Sequence, residues 1–185
     1  MGRETRGAVE MGILEWFGVG GGPDGPVPET RTDAVRRIAA GLAALPPDRA
    51  RFVAAFAYLL GRVAHADHEL TDAETAAMRR LVASESGLPE PDVALVVDIA
   101  AHESLIFGGT EDFRVTREFD EISTPEQKLM LVRCLFALSA ADSSVVTKED
   151  NEIRRIALAL KVPHDDFVAA RAAVREHLAV LKPRE

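Results

Sequence analysis

Two histidines and four acidic residues fall within twelve positions of the sequence, in the stretch VAHADHELTDAE from Val63 to Glu74. Carboxylate oxygens are the ligands that calcium and magnesium prefer, and zinc accepts imidazole nitrogens together with carboxylates. Asp67 and Glu74 are therefore candidate ligands of a divalent cation. His65 and His68 stand three positions apart, so that they could share one face of a helix and add a pair of zinc ligands.

The same stretch also has a purely structural interpretation. Thr71 and Glu74 have the spacing of a capping box, in which two side chains satisfy the free backbone N–H groups of a helix start. The loop is too short for an EF-hand and lacks its central glycine, so that a cation would need further ligands from elsewhere. An enzymatic alternative is a metal-dependent hydrolase that uses His65, His68 and Asp67, but these residues do not form the H-E-x-x-H pattern of zinc proteases.

A second copy of this pattern, LSAADSSVVTKE, stands 75 positions further along the chain. Asp142 corresponds to Asp67, Glu149 corresponds to Glu74, and the apolar positions around them agree in type. Asp142 and Glu149 thereby become candidate cation ligands as well, whereas the second copy has no histidine. We interpret the chain as two helix–loop–helix repeats, about 49–107 and 123–181, related by a pseudo-two-fold axis.

Helical periodicity of apolar residues continues from Thr32 to the end of the chain, and no segment alternates with the period of a strand. The pattern predicts an all-α domain of about eight helices. The sixth helix is apolar almost all round between Leu129 and Leu138, so we expect it at the centre of the fold. Residues that cap or interrupt helices separate the elements: Pro46, Pro47, Gly87, Pro89, Gly108, Thr124, Pro125, Gln127 and Pro163.

The first thirty residues differ from the rest of the chain. The stretch GVGGGPDGPVPET is typical of a flexible linker, and we expect residues 1–30 to lie outside a helical domain of residues 31–185. An apolar patch precedes the linker and is predicted to pack against the domain or a protein partner. It is short and poor in Lys and Arg, so that any membrane association would be peripheral. The patch consists of Ile13, Leu14, Trp16 and Phe17.

Composition narrows the class of protein. The chain has 185 residues, 30 acidic against 22 basic, and a formal charge of −8, which argues against a nucleic-acid surface. Its one cysteine, Cys134, lies in the apolar run LMLVRCLFAL and cannot form a disulfide within the chain. The sequence has neither a membrane-spanning apolar run nor the apolar core of a secretory signal, so we expect a cytoplasmic protein. Met11 is a candidate for an alternative start of translation, because MGRETRGAVE has no periodic pattern.

The two copies resemble a known family. AHADHELTDAE and SAADSSVVTKEDNEIRRIALAL are similar to the two halves of the TerB-like proteins, the tellurite resistance protein TerB family. That family's pattern is a helix ending Ala-Asp-Gly, an aliphatic residue three positions past the Asp, and a Glu seven positions past it. The similarity extends over about residues 49–171 and is close from Glu111 to Arg171. Where the pattern has glycine, this sequence has His68 and Ser143.

The resemblance implies an all-helical fold with interlocked repeats, acidic surface residues suspected of binding metal ions, and no established reaction. It implies a non-enzymatic accessory protein of the bacterial response to metal or oxidative stress, with a divalent cation as the one cofactor to consider. Its protein partners would belong to a stress-response complex. The alternative is a helical protein–protein interaction module without a metal role, in which the N-terminal patch engages a partner.

Overall fold

The computed structural model describes the backbone of residues 29–64, 71–102, 112–141 and 147–181, and within these ranges every regular element is a helix. The predicted all-α fold and the eight predicted helices are confirmed in this part of the chain. The helices are α1 (Glu29–Ala43), α2 (Pro47–Ala64), α3 (Asp72–Ser86), α4 (Glu90–Ala101), α5 (Asp112–Ile122), α6 (Pro125–Ala141), α7 (Thr147–Ala159) and α8 (His164–Leu181).

The helix boundaries follow the capping residues that the sequence indicates. Pro47 is the first residue of α2, a position where the N–H group that proline lacks has no partner within the helix. Gly87 ends α3 in the left-handed conformation, with φ of 62°. Before α6, the backbone N–H of Thr124 donates to the Gln127 side chain at 2.8 Å, and the Gln127 N–H donates to the Thr124 hydroxyl at 3.3 Å, which is a complete capping box.

Two helices form the centre of the core. Helix α2 is buried on all sides through its middle, since residues 52–61 are all buried. Helix α6, which we expected at the centre, packs against α2, α3, α7 and α8, and its Leu131 and Leu135 are fully buried. The sequence pattern therefore predicts the central position of α6 but not that of α2.

Aromatic contacts fix α5 and α8 on this centre. The ring of Phe119 in α5 stacks on Phe52 of α2, with 5.5 Å between ring centroids. Phe136 of α6 and Phe167 of α8 lie 5.2 Å apart in a tilted arrangement. Offset and tilted rings are the favourable geometries for aromatic pairs, so these contacts add directional packing to the apolar core.

The predicted repeat agrees with the burial of equivalent residues. Leu60 and its counterpart Leu135 are both fully buried, and so are Met78 and its counterpart Ile153. Helix α3 of the first copy packs against α6 of the second, and α7 of the second packs against α2 of the first. Each copy thus contributes to the packing of the other, while the pseudo-two-fold axis itself stays a prediction.

Among the helices that the structure describes, none combines the length and the apolar character required to cross a bilayer.

Candidate functional site

Most of the predicted cation ligands lie outside the described residues. His65, Asp67 and His68 fall in the connection between α2 and α3, and Asp142 falls in the connection between α6 and α7. Glu149 is the third residue of α7, and only its backbone is described. The apolar patch precedes α1 and also lies outside the described residues: Ile13, Leu14, Trp16 and Phe17.

Glu74 is the one predicted ligand whose side chain is described, and it belongs to the capping box of α3. Its Oε2 atom accepts the backbone N–H of Thr71 at 2.7 Å and the Thr71 hydroxyl at 2.8 Å. The Glu74 N–H in turn donates to the Thr71 hydroxyl at 3.3 Å. The structural interpretation of this pair is therefore confirmed, and a cation at Glu74 would have to share its carboxylate with the helix start.

The described residues contain no group of three or more His, Cys, Asp or Glu side chains placed to hold a metal ion. A cation site at the repeat loops would therefore depend on Asp67 and Asp142 for most of its side-chain ligands. The structure brings Glu74 to the edge of the first of these loops, because Thr71 directly follows residues 65–70.

Cys134 lies in the core of α6 and is 1% exposed. Burial, followed by the negative charge of Glu85, raises the pKa of the Cys134 thiol to about 12. Since the thiolate is the form that attacks electrophiles and binds metals, this thiol is inert near neutral pH. The prediction that Cys134 is a small apolar core residue agrees with its position.

A groove lies where three helices meet, on a surface that sequence reasoning did not single out. Helices α2, α5 and α7 pack against one another in pairs, and the groove between them has a volume of about 170 Å³. Its lining comes from all three helices: Tyr58, Leu59 and Arg62 from α2, Phe113 and Thr116 from α5, and Glu152, Arg155, Ile156 and Ala159 from α7.

The groove is apolar inside and charged along one side. Tyr58, Leu59 and Ile156 are each less than 5% exposed and supply its apolar wall. On the charged side, the Oε1 atom of Glu152 accepts hydrogen bonds from Arg62 at 3.2 Å and from Arg155 at 2.7 Å. Glu152 is thus a carboxylate that two guanidinium groups share on this side of the groove.

Phe113 is the exposed aromatic residue of the groove. Its side chain is 80% exposed, although it lines the same space as the buried Tyr58 and Ile156. Removing a phenylalanine ring from water lowers the free energy, so an exposed ring beside an apolar recess is a favourable place for another apolar side chain to dock. Cofactor and drug-sized ligand sites usually enclose about 300–1,000 Å³, which makes this groove a recess for one or two side chains.

A second charged cluster lies at the junction of α5, α6 and α7. Asp120 accepts a hydrogen bond from Lys128 at 2.7 Å and another from Lys161. The Asp120 side chain is 12% exposed. These hydrogen bonds, first that of Lys128 and then that of Lys161, hold the pKa of Asp120 below its ordinary value. The carboxylate is therefore a structural anion that joins α5, α6 and the turn that follows α7.

Sequence patterns carry only a weak signal for the groove. Arg62 and Glu152 are 90 positions apart, and no local rule pairs residues at that separation. Each repeat has a pair of adjacent arginines, Arg79–Arg80 and Arg154–Arg155. Arg79 pairs with Glu90, and Arg155 pairs with Glu152.

One of the comparisons with known proteins gave a match. The family model described as tellurite resistance protein TerB matches residues 52–172, from the second turn of α2 into the middle of α8. The matched range contains both predicted repeat loops and all of α3 to α7. No match was found among curated proteins or among solved structures.

Proposed function

We propose that this chain, which belongs to the tellurite resistance protein TerB family, acts as a non-enzymatic accessory protein in the response to metal or oxidative stress of the tellurite type. The observation that carries this proposal is the family match over residues 52–172, more than half of the chain. The description of the family as tellurite resistance proteins supports the stress-related role, and the chemistry of the described residues supports action by binding.

Two features of the described residues support binding rather than catalysis. The thiol of Cys134 is protonated in the core, so that it offers no nucleophile. The carboxylates of Glu74, Asp120 and Glu152 accept hydrogen bonds from a helix start, from lysines and from arginines, which are structural tasks.

The ligand that we propose is a divalent cation held weakly at the two repeat loops. Its candidate ligands are the shared acids Asp67 with Glu74 and Asp142 with Glu149. Hard cations need several oxygen ligands, so that backbone carbonyls and water would complete the coordination. His65 and His68 occur in the first copy alone and would make that copy the one suited to zinc.

Calorimetric titration of the purified chain with calcium, magnesium, manganese and zinc tests this ligand. Binding below millimolar concentration is expected, and the double variant Asp67→Asn with Asp142→Asn is expected to lose it. Glu74→Gln is the more specific test, because glutamine removes the charge of the candidate ligand and preserves a capping box, as Gln127 does in this same chain. It should weaken cation binding while the free energy of unfolding changes by less than about 0.5 kcal/mol.

Absence of binding below millimolar concentration for all four cations would contradict the cation role. The family-derived stress role would then be tested separately, by growth of a deletion strain in tellurite with and without the gene for this chain.

A second candidate function, a protein–protein interaction module without a metal role, is favoured by the exposed Phe113 beside the groove. In this role Phe113→Ala is expected to reduce stress resistance in cells, whereas Leu158→Ala is not. Leu158 is the matched control, since it is 79% exposed on α7 and does not line the groove. Equal resistance of the two variants would count against this function.

A further inference from the structure

Helix α1 covers one face of α4 around Leu95 and Asp98, which we call the α4 face. We propose that the α4 face is a binding site for an amphipathic helix of a protein partner and that α1 is its releasable cover. In the free chain α1 occupies the face, and a partner helix of similar chemistry replaces it. Such binding is independent of the stress role, of cation binding and of the groove between α2, α5 and α7.

Few buried side chains hold α1 on the domain. Its main packing partners are α4 and α2. Among its described side chains, those of residues 33–43, only Ala34, Ile38 and Leu42 are buried, at 3–5% exposure and four positions apart. They form a single line along α1, whereas α2 buries twelve of its 18 residues. A helix held by so few buried contacts can open locally at a lower free energy than the unfolding of the whole domain.

Helix α4 has attachments of its own, so that the release of α1 leaves the α4 face in position. It packs against α2 and α3. At its start, the buried carboxylate of Asp92 accepts a hydrogen bond from Arg49 of α2 at 2.7 Å. Neither of these attachments involves α1, and the face that α1 covers therefore belongs to the remainder of the domain.

The α4 face recognises a helix through shape and charge, and α1 shows which chemistry fits. Gly41 lies over Leu95, since a Cβ atom on Gly41 would approach Cδ1 of Leu95 to 2.8 Å and a larger residue would have to displace that side chain. Arg37 donates from Nε to Oδ2 of Asp98 at 3.2 Å and from Nη2 to Oδ1 at 3.1 Å, which is a bidentate pair. A fitting partner helix therefore has an arginine, a glycine four positions later and a line of aliphatic residues beside them.

The extent of the family match separates α1 from the face that it covers. The matched range, residues 52–172, contains all of α4 with Leu95 and Asp98, and it begins after α1 has ended. The pattern that defines the family thus includes the α4 face and excludes the helix that lies on it. This favours α1 as an added ligand of the domain over α1 as an essential part of its core.

A fluorescently labelled peptide of residues 29–45 is the probe, because it carries the chemistry of α1. Fluorescence anisotropy measures its binding to the full chain. Binding to the unaltered chain is expected to be weak, because the chain's own α1 competes at a high effective concentration. The full-chain variant Leu42→Glu places a charge in the buried line of α1 and thereby releases that helix. Its affinity for the unaltered peptide is expected to be roughly tenfold higher or more, whereas a peptide with Leu42→Glu should bind neither chain.

A charge exchange locates the peptide on the α4 face. Within the Leu42→Glu chain, Asp98→Arg is expected to lower the affinity for the unaltered peptide several-fold. The peptide with Arg37→Glu is expected to recover this loss, because the two charges are then exchanged. Glu121→Arg is the matched control, since Glu121 is an exposed acid of α5 that pairs with Arg117, and it should leave the affinity unchanged.

Three results would overturn the proposal. In the first, hydrogen exchange of the unaltered chain shows that the amides of α1 and α2 open with the same free energy, so that α1 is not released on its own. In the second, circular dichroism shows that Leu42→Glu unfolds the whole domain, which would make α1 an essential part of the core. In the third, the folded Leu42→Glu chain fails to bind the peptide, or binds it with an affinity that Asp98→Arg does not change.

Discussion

The guanidinium group of Arg62 in α2 donates to the carboxylate of Glu152 in α7 across 3.2 Å, which joins residues 90 positions apart in the sequence. The two side chains are 23% and 24% exposed, so that this pair is partly screened from solvent. Because α2 belongs to the first predicted repeat and α7 to the second, the ion pair connects the two copies. It also forms the charged side of the groove.

Glu152→Gln is expected to lower the free energy of unfolding by roughly 1 kcal/mol, since it removes the charge that both Arg62 and Arg155 face. Urea denaturation followed by circular dichroism measures the change. Glu121→Gln is the matched control, because Glu121 pairs with Arg117 on an exposed helix face and should cost less than about 0.5 kcal/mol. Equal losses in the two variants would contradict a special role of the link between repeats.

Arg49 compensates a buried negative charge at the start of α4. The Arg49 Nε donates to Oδ2 of Asp92 at 2.7 Å, and the Asp92 side chain is only 5% exposed. Arg49→Met is therefore expected to destabilise the protein by roughly 1–3 kcal/mol, because it leaves the buried carboxylate without its charged partner. Thermal and urea unfolding measure this loss.

Two further variants separate that effect from the loss of any surface arginine. Arg36→Met removes an exposed pair with Asp33 and is expected to cost less than about 0.5 kcal/mol. Adding Asp92→Asn to Arg49→Met should recover part of the loss, because the unpaired charge is then gone. Additive losses in the double variant would show that Arg49 acts through packing alone.

The fold could be predicted from local signals because helix ends in this chain depend on nearby residues. Gly87, Pro89 and the Thr124–Gln127 pair fix three boundaries through backbone geometry and hydrogen bonds that span a few positions. The apolar stripes then set which faces are buried. The position of α6 at the centre followed from its continuous apolar surface, and the structure agrees.

The groove was not predicted, because it depends on how three helices meet. Phe113 lies on the opposite side of α5 from Val115, Phe119 and Ile122, so helical periodicity can indicate that its ring is exposed but not that it borders a groove. The predicted cation ligands are a different case. Their spacing is a genuine pattern of the sequence, but Asp67 and Asp142 lie outside the described residues, and the described Glu74 serves the start of α3.

Stability at acidic pH should depend on Asp120. Hydrogen bonds from Lys128 and Lys161 hold its folded-state pKa below the ordinary value of about 3.9. A lowered folded-state pKa means that Asp120 contributes fully above about pH 4 and that its contribution is lost as pH falls through the folded-state value. The stability difference between the unaltered chain and Asp120→Asn is thus expected to be constant near neutral pH and to shrink below about pH 4.

Urea unfolding from about pH 7 to about pH 3 measures this difference. Asp33→Asn serves as the control, because its exposed pair with Arg36 contributes little at any pH. A difference for Asp120→Asn that stays constant through the acidic range would contradict the contribution of its lysine partners.

Lys161 ends α7 in the left-handed conformation, with φ of 58°, although glycine is the usual residue there. The Lys161 N–H donates to the Leu158 carbonyl at 3.1 Å, and the Val162 N–H donates to the Ala157 carbonyl at 3.0 Å, which together form the Schellman pattern. The Lys161 ammonium group pairs with Asp120. Lysine thus forms an ion pair at a position where positive φ is unfavourable for residues other than glycine.

Two substitutions at Lys161 separate the backbone effect from the ion pair. Lys161→Gly and Lys161→Ala both remove the contact with Asp120, and only glycine adopts positive φ without steric cost. The glycine variant is therefore expected to be more stable than the alanine variant by roughly 1 kcal/mol in urea unfolding. Gly87→Ala should lose a similar amount at the end of α3, because a Cβ atom there meets nothing within 4 Å and φ of 62° is the sole obstacle. Equal stability of the two Lys161 variants would mean that α7 ends with a different backbone conformation in solution.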